Sequence, residues 1–76
     1  MYPRIRELRE DHDLYQKDIA KALNCSQRVY SNYERGDLDI PTAVLIGIAD
    51  YYNTTTDYIL GRTDVISPLP KINQAN

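Results

Sequence analysis

Seventy-six residues support one hydrophobic core and little more, so the expectation is one domain with no second, catalytic one, and the formal charge of −2 argues, taken whole, against a polyanionic partner. The single cysteine, Cys25, cannot form an internal disulfide, so the fold is expected to hold by packing alone, which suits a reducing cytosol. No apolar run approaches the roughly 18 residues that span a bilayer, and the N-terminus lacks the apolar stretch of a signal peptide, so the expectation is a soluble, cytoplasmic protein with no membrane partner.

In chain order, Pro3 suits the first turn of a helix, and Ile5 and Leu8, extended by His12, recur at helical spacing over roughly 3–12. Gln16 to Leu23 places Ile19, Ala20 and Leu23 on one stripe with Lys17, Asp18 and Lys21 facing outward. Asn24 is expected to end this helix because Asn tolerates the left-handed conformation. Ser26 reads as the N-cap of a third helix over 27–35, closed by Gly36. Pro41 is positioned to start a fourth helix, in which Leu45, Ile48, Ala49 and Tyr52 form a strong amphipathic stripe and Gly47 permits close packing. Asn53 ends it. Thr55 caps a last short helix through Leu60, with Gly61 just beyond. The remainder has two prolines and no period, so residues 65–76 read as a tail, partly disordered or contributing to dimerisation, after a domain over 1–64. With no strand-like alternation, the fold class is all-α, five short helices.

Charge is unevenly spread along the chain. Residues 14–35 carry Lys17, Lys21, Arg28 and Arg35 against Asp18 and Glu34, whereas 36–64 carry Arg62 against Asp37, Asp39, Asp50, Asp57 and Asp64. A local basic face can attract phosphate even when the whole chain does not. Helices two and three are separated only by Asn24, Cys25 and Ser26, a spacing that makes two helices cross steeply and asks for a small contact residue, here Ala20. If Tyr30 and Tyr33 pack inward, the 100° step per residue turns Gln27, Arg28 and Asn32 outward, with Val29 at the edge. These side chains match base edges in a DNA major groove: Arg donates twice to guanine, Gln and Asn pair both groups with adenine, and a Val methyl meets the thymine methyl. A solvated polar face is the plain alternative.

The stretch "LREDHDLYQKDIAKALNCSQRVYSNYERG" resembles the helix-turn-helix of the phage repressor and Cro-type family, also called the xenobiotic-response-element family. The match continues through "IPTAVLIGIADYYNTTTDYILGRTD" and covers roughly residues 4–64. The resemblance implies a lambda-repressor-like DNA-binding domain and assigns roles by position. Gln16 would bind a phosphate and brace the first side chain of the recognition helix. Lys17 lies beside it on the outward face of helix two. Gln27, Arg28 and Asn32 would read bases with Val29 beside them, Ser26 would cap and touch the backbone, and Arg35 would contact phosphate. Arg9 and Glu34 match a structural ion pair. Five positions depart from the family: Tyr30 stands where Ile or Val is usual, Asn24 where Gly is, Tyr15 where a capping Thr is, and Asp37 and Asp39 occupy a connection that is often basic.

Seven tyrosines without Phe or Trp raise stacking on single-stranded bases as a rival, but Tyr30, Tyr33, Tyr52 and Tyr58 fall on inward stripes, leaving Tyr2, Tyr15 and Tyr51 freer. Cys25 reads as a small buried hydrophobe. His12 has no companion at metal-ligand spacing, and Glu10, Asp11 and Asp13 read as solvated charges rather than acid–base catalysts, so neither metal, cofactor nor catalysis is expected. The function that emerges is a sequence-specific regulator of transcription, a repressor in the first instance, bound as a homodimer to a pseudo-palindromic double-stranded operator. Ile59, Leu60, Val65, Ile66 and Leu69 are the expected dimer surface. The alternatives are the antitoxin of a toxin–antitoxin pair, with a protein partner, and a protein-interaction adaptor that keeps the fold.

Overall fold

A computed structural model describes residues 2–68, and Leu69 with the rest of the expected tail lies outside them. Five helices follow one another: α1 (Pro3–Asp11), α2 (Gln16–Ala22), α3 (Gln27–Arg35), α4 (Thr42–Tyr51) and α5 (Thr56–Leu60), with no strand among the described residues. None of these helices is long and apolar enough to cross a membrane. The starts follow the sequence closely. Pro3 opens α1 in its first turn, the Ser26 hydroxyl accepts from Val29 N–H at 3.1 Å, and the Thr55 hydroxyl accepts from Tyr58 N–H at 3.0 Å. Pro41 differs by one position: its extended ψ of 149° makes it the cap before α4, and the helix begins at Thr42.

All five helices stop by one device. A single left-handed residue follows each of them, and the next N–H returns to a carbonyl five residues back. Gly36 (φ 81°) and Gly61 (φ 82°) do this without a Cβ clash, and Asn24 (φ 60°) and Asn53 (φ 55°) do it as their side chains allow. Asp13 (φ 56°) closes α1 in the same way, which the sequence reading had not singled out. Short helices with sharp ends let 60 residues turn four corners around one core without long loops.

That core is built from Ile5, Leu8, Ile19, Ala20, Tyr30, Tyr33, Ile48, Ala49, Tyr52 and Ile59. The two tyrosines of α3 point inward as the pattern requires, Tyr30 at 0% exposure and Tyr33 at 6%. Their rings meet edge to face with centroids 6.5 Å apart, an arrangement that adds roughly 0.5–1.5 kcal/mol to the burial itself. Ala20, the small residue expected where α2 meets α3, is buried. Gly47 has its expected use: a Cβ there would sit 3.3 Å from Leu23 Cδ2, tighter than ordinary contact.

Some residues lie elsewhere than the one-dimensional pattern placed them. Ile59 is 1% exposed and belongs to the core, so it offers no surface to a second copy, because α5 packs this side chain against α1 and α4. Cys25 is half-buried at the turn rather than enclosed, and burial raises its thiol pKa. His12 is exposed, its ring 5.0 Å from that of Tyr52. Tyr2 packs against the core, while Tyr15 and Tyr51 are exposed as expected. Beyond α5 the chain stays fastened: Arg4 donates to the carbonyls of Tyr58 (2.8 Å) and Thr63, pairs with Asp64 and covers the Tyr58 ring at 4.2 Å. The buried Thr54 hydroxyl donates to the Ile66 carbonyl, which carries this attachment past residue 64.

Candidate nucleic-acid interface

The candidate surface is the outer side of α2 and α3, and the turn between them fixes its shape. Leu23 leaves α2, Asn24 takes the left-handed conformation, and Cys25 N–H returns to the Ala20 carbonyl at 2.9 Å. Ser26 then caps α3 at once. At the head of α2, no hydroxyl replaces the absent capping threonine. Instead the Asp18 carboxylate accepts from Tyr15 N–H at 2.9 Å, so a first-turn acid satisfies the free donor and leaves the Tyr15 ring in solvent, 70% exposed.

Beneath this surface lies one polar brace that joins three helices. Arg9 of α1 meets Glu34 of α3 in a two-pronged pair, Nε to Oε2 at 2.7 Å and Nη2 to Oε1 at 3.1 Å, with side-chain exposures of only 14% and 4%. Nη1 of Arg9 donates to the Leu14 carbonyl at 3.0 Å and fastens the connection into α2. Gln16, first residue of α2, donates to the same Glu34 Oε1 at 3.1 Å. The resemblance had Gln16 bracing the first side chain of α3; its hydrogen bond goes to Glu34 near the end of α3 rather than to Gln27. Burial alone would raise the Glu34 carboxyl, but hydrogen bonds from Arg9 and Gln16 outweigh it and hold the pKa below the ordinary value. The hydrogen bond to Glu34 and its charge hold the Arg9 guanidinium above its ordinary value. Beside them the buried Tyr30 hydroxyl has no hydrogen bond of good geometry, and burial next to the Glu34 charge pushes its pKa up.

Given that brace and the inward tyrosines, the remaining side chains of α3 have one way to point. Gln27, Arg28 and Arg35 are exposed; Ser31 and Asn32 are partly so; Val29 is half-buried at the edge, packed against the core. An open concavity of about 430 Å³ is lined by Gln16, Gln27, Arg28, Ser31 and Arg35. On one side it continues into a hollow over the turn lined by Lys17, Lys21, Ser26 and Gln27, on the other into a hollow that includes Arg6 and Arg35. The structure thus gathers Gln16, Lys17, Ser26, Gln27, Arg28 and Arg35 along one trough. Val29 and Asn32 line none of these hollows and sit along its flank.

Three residues of the trough were not singled out beforehand. Ser31 is four residues from Gln27 and three from Arg28, a spacing that already places it between them. Lys21 was placed on the outward face of α2 and counted as local charge, without a contact role. Arg6 had no local signal, since only the packing of α1 against α3 carries it there. Three arginines around this end are paired within the chain: Arg6 with Glu10 at 3.2 Å, Arg9 with Glu34, and Arg35 with Asp37 at 3.0 Å. Arg28 has no hydrogen bond or ion pair among the described residues, and it stands at the middle of the outward face.

Known proteins are similar to this chain in sequence. The HTH-type transcriptional regulator ImmR of Bacillus subtilis (strain 168) is 39% identical over 62 residues, 82% of this chain and 49% of that protein. A second regulator of that organism, the uncharacterized HTH-type YobD, is 34% identical over 73 residues, 96% of this chain and 63% of its own length. The antitoxin PezA of Streptococcus pneumoniae serotype 4 is 29% identical over 65 residues, 86% of this chain and 41% of that protein. The chain spans about half the length of the curated relatives it matches. No solved structure gives a significant match. The helix-turn-helix family matches residues 5–59, which takes in the α2–turn–α3 unit, the Arg9–Glu34–Gln16 brace beneath it and most of α5; the chain belongs to that family, in its phage-repressor and Cro-type form.

Proposed function

We propose that this chain is a sequence-specific, double-stranded-DNA-binding regulator of transcription that lays α3 in the major groove. The observation that carries this is Arg28, unpaired among the described residues, at the centre of a polar trough whose underside is locked by the Arg9–Glu34–Gln16 brace. A rigid helix with a free guanidinium flanked by an amide can read guanine and adenine edges, and a half-buried Val29 can meet a thymine methyl. Gln16 uses one amide hydrogen on Glu34 and keeps its second for a phosphate. Lys17, the Ser26 cap and Arg35 extend the phosphate contacts along the strand.

One such helix reads a few base pairs, and a handful of cationic contacts binds weakly at cellular salt. A homodimer on a pseudo-palindromic operator resolves this, with recognition helices about 34 Å apart, one duplex turn. Val65 and Ile66, 63% and 47% exposed beyond α5, supply apolar surface for that contact. Placing Asp at both positions and measuring mass in solution tests it; an unchanged dimer refutes the placement. The chain acts by binding and carries out no catalysis, and it works in the cytoplasm as a repressor.

Selection of bound duplexes from a random pool decides the matter. One enriched, roughly two-fold-symmetric motif is expected, and no enrichment at low salt would overturn the reading. The likeness to an antitoxin favours one second reading, in which the chain also binds a toxin. Stable copurification with a neighbouring gene product would distinguish it from a free-standing repressor.

A further inference from the structure

Arg35, the last residue of α3, has each of its three guanidinium nitrogens donating once within the chain. Nε donates to Asp37 Oδ2 at 3.0 Å, Nη1 to Ser31 Oγ at 3.2 Å, and Nη2 to Asn32 Oδ1. The third contact bears on base reading. A carboxamide recognises adenine by accepting from N6 through its oxygen while donating to N7 through its nitrogen. With Oδ1 held by a guanidinium, the Asn32 amide keeps a second lone pair but is turned toward Arg35, so presenting both groups squarely to adenine requires it to leave that contact. The contact that fixes Arg35 in place is solvent-exposed, 60% on Arg35 and 62% on Asp37, so it is screened by water and readily exchanged. A backbone phosphate competes well for the same group, because the planar fork of arginine matches two phosphate oxygens at once.

We propose that Arg35 is a latch coupling phosphate contact to base reading. In the free protein it holds the Asn32 oxygen and is itself held by Asp37; a phosphate that takes the guanidinium releases Asn32 to engage a base edge. Asp37 is the internal competitor that sets how tightly the latch closes. The inference rests on the DNA reading of α3 and adds to it an order of events and a residue, Asp37, which lines the end of the trough beside Arg35 and had no role assigned there.

The test measures duplex binding by fluorescence anisotropy across a salt series for the wild type, Asp37→Asn, Arg35→Ala and Asn32→Ala. The duplexes are the selected sequence and single-base-pair variants of it. Asn32→Ala should erase preference at one base pair. Asp37→Asn should tighten binding to every duplex by about two- to fivefold, the worth of an exposed ion pair. It should also steepen the slope of log K against log salt by about 0.9, the weight of one phosphate contact no longer offset by a carboxylate. Arg35→Ala should weaken binding on all duplexes yet keep full discrimination at the Asn32 base pair, since the amide is then always free. Unchanged affinity and slope in Asp37→Asn overturn the latch, as does an Asn32→Ala variant with unaltered preference. Lost discrimination in Arg35→Ala also overturns it, by making Arg35 a simple brace for Asn32. A wild type that binds no duplex defeats the DNA reading and the latch together, whereas normal wild-type binding with an inert Asp37→Asn defeats the latch alone.

Discussion

Glu34 and Arg35 are neighbours in the chain and opposites in the fold. The Glu34 side chain is 4% exposed, held by Arg9 and Gln16 in a network that spans three helices. The Arg35 side chain is 60% exposed and paired only with residues of its own helix end. The physics separates them further, because a buried pair is costly to break and an exposed pair is cheap to exchange. One side of α3 therefore holds the helix in place, and the other remains free to trade partners with a ligand. A rigid reader needs both properties, and one helical turn supplies them.

Breaking the inner network is the most damaging experiment. Glu34→Ala leaves a buried guanidinium unpaired and should cost roughly 3–5 kcal/mol of unfolding free energy, read by chemical denaturation. A loss below about 1 kcal/mol would show that Arg9 finds water there and that the brace is dispensable. On the outer face the expectation reverses. Arg28→Ala should leave stability within about 0.5 kcal/mol of the wild type while weakening the selected duplex by roughly 1–3 kcal/mol and relaxing preference at one base position. Equal weakening on every sequence would reassign Arg28 to phosphate.

Acid sharpens the same contrast. The folded-state pKa of Glu34 lies below its ordinary 4.5, so its contribution is complete above that value and is lost as pH falls through the folded pKa. Stability should decline on acidification below pH 4.5, and Glu34→Gln should flatten that part of the profile. A profile identical in the two proteins would place the acid sensitivity elsewhere. The smallest effect concerns Tyr30. Its buried hydroxyl lacks a good partner, so Tyr30→Phe should be neutral or stabilising by up to about 1 kcal/mol. A clear destabilisation would reveal a hydrogen bond to Glu34 in solution.

Much of this protein is written in short-range terms, and those terms could be read without coordinates. Helical periodicity placed Tyr30 and Tyr33 inward and Arg28 outward; the chemistry of Ser26, Thr55, Asn24, Asn53, Gly36 and Gly61 marked where helices begin and end. Each rests on the residue itself or on neighbours within a turn, which is the range over which backbone geometry acts. Gln16 illustrates the other case. Its place on α2 was legible, but its choice of Glu34 over Gln27 depends on α1 delivering Arg9 to the same carboxylate from 25 residues away. Arg6 entered the trough, and Ile59 left the dimer surface, through helix packing of the same long range.

Sequence alone determined that five short helices would form, where four of them would stop, and which edge of α3 would face outward, because period and φ preference are local properties. Only the tertiary structure decided which ion pair is buried. Arg6 and Arg35 find carboxylates within four residues along the chain, but Arg9 meets Glu34 only because packing brings α1 against α3, and burial there leaves little water to compete.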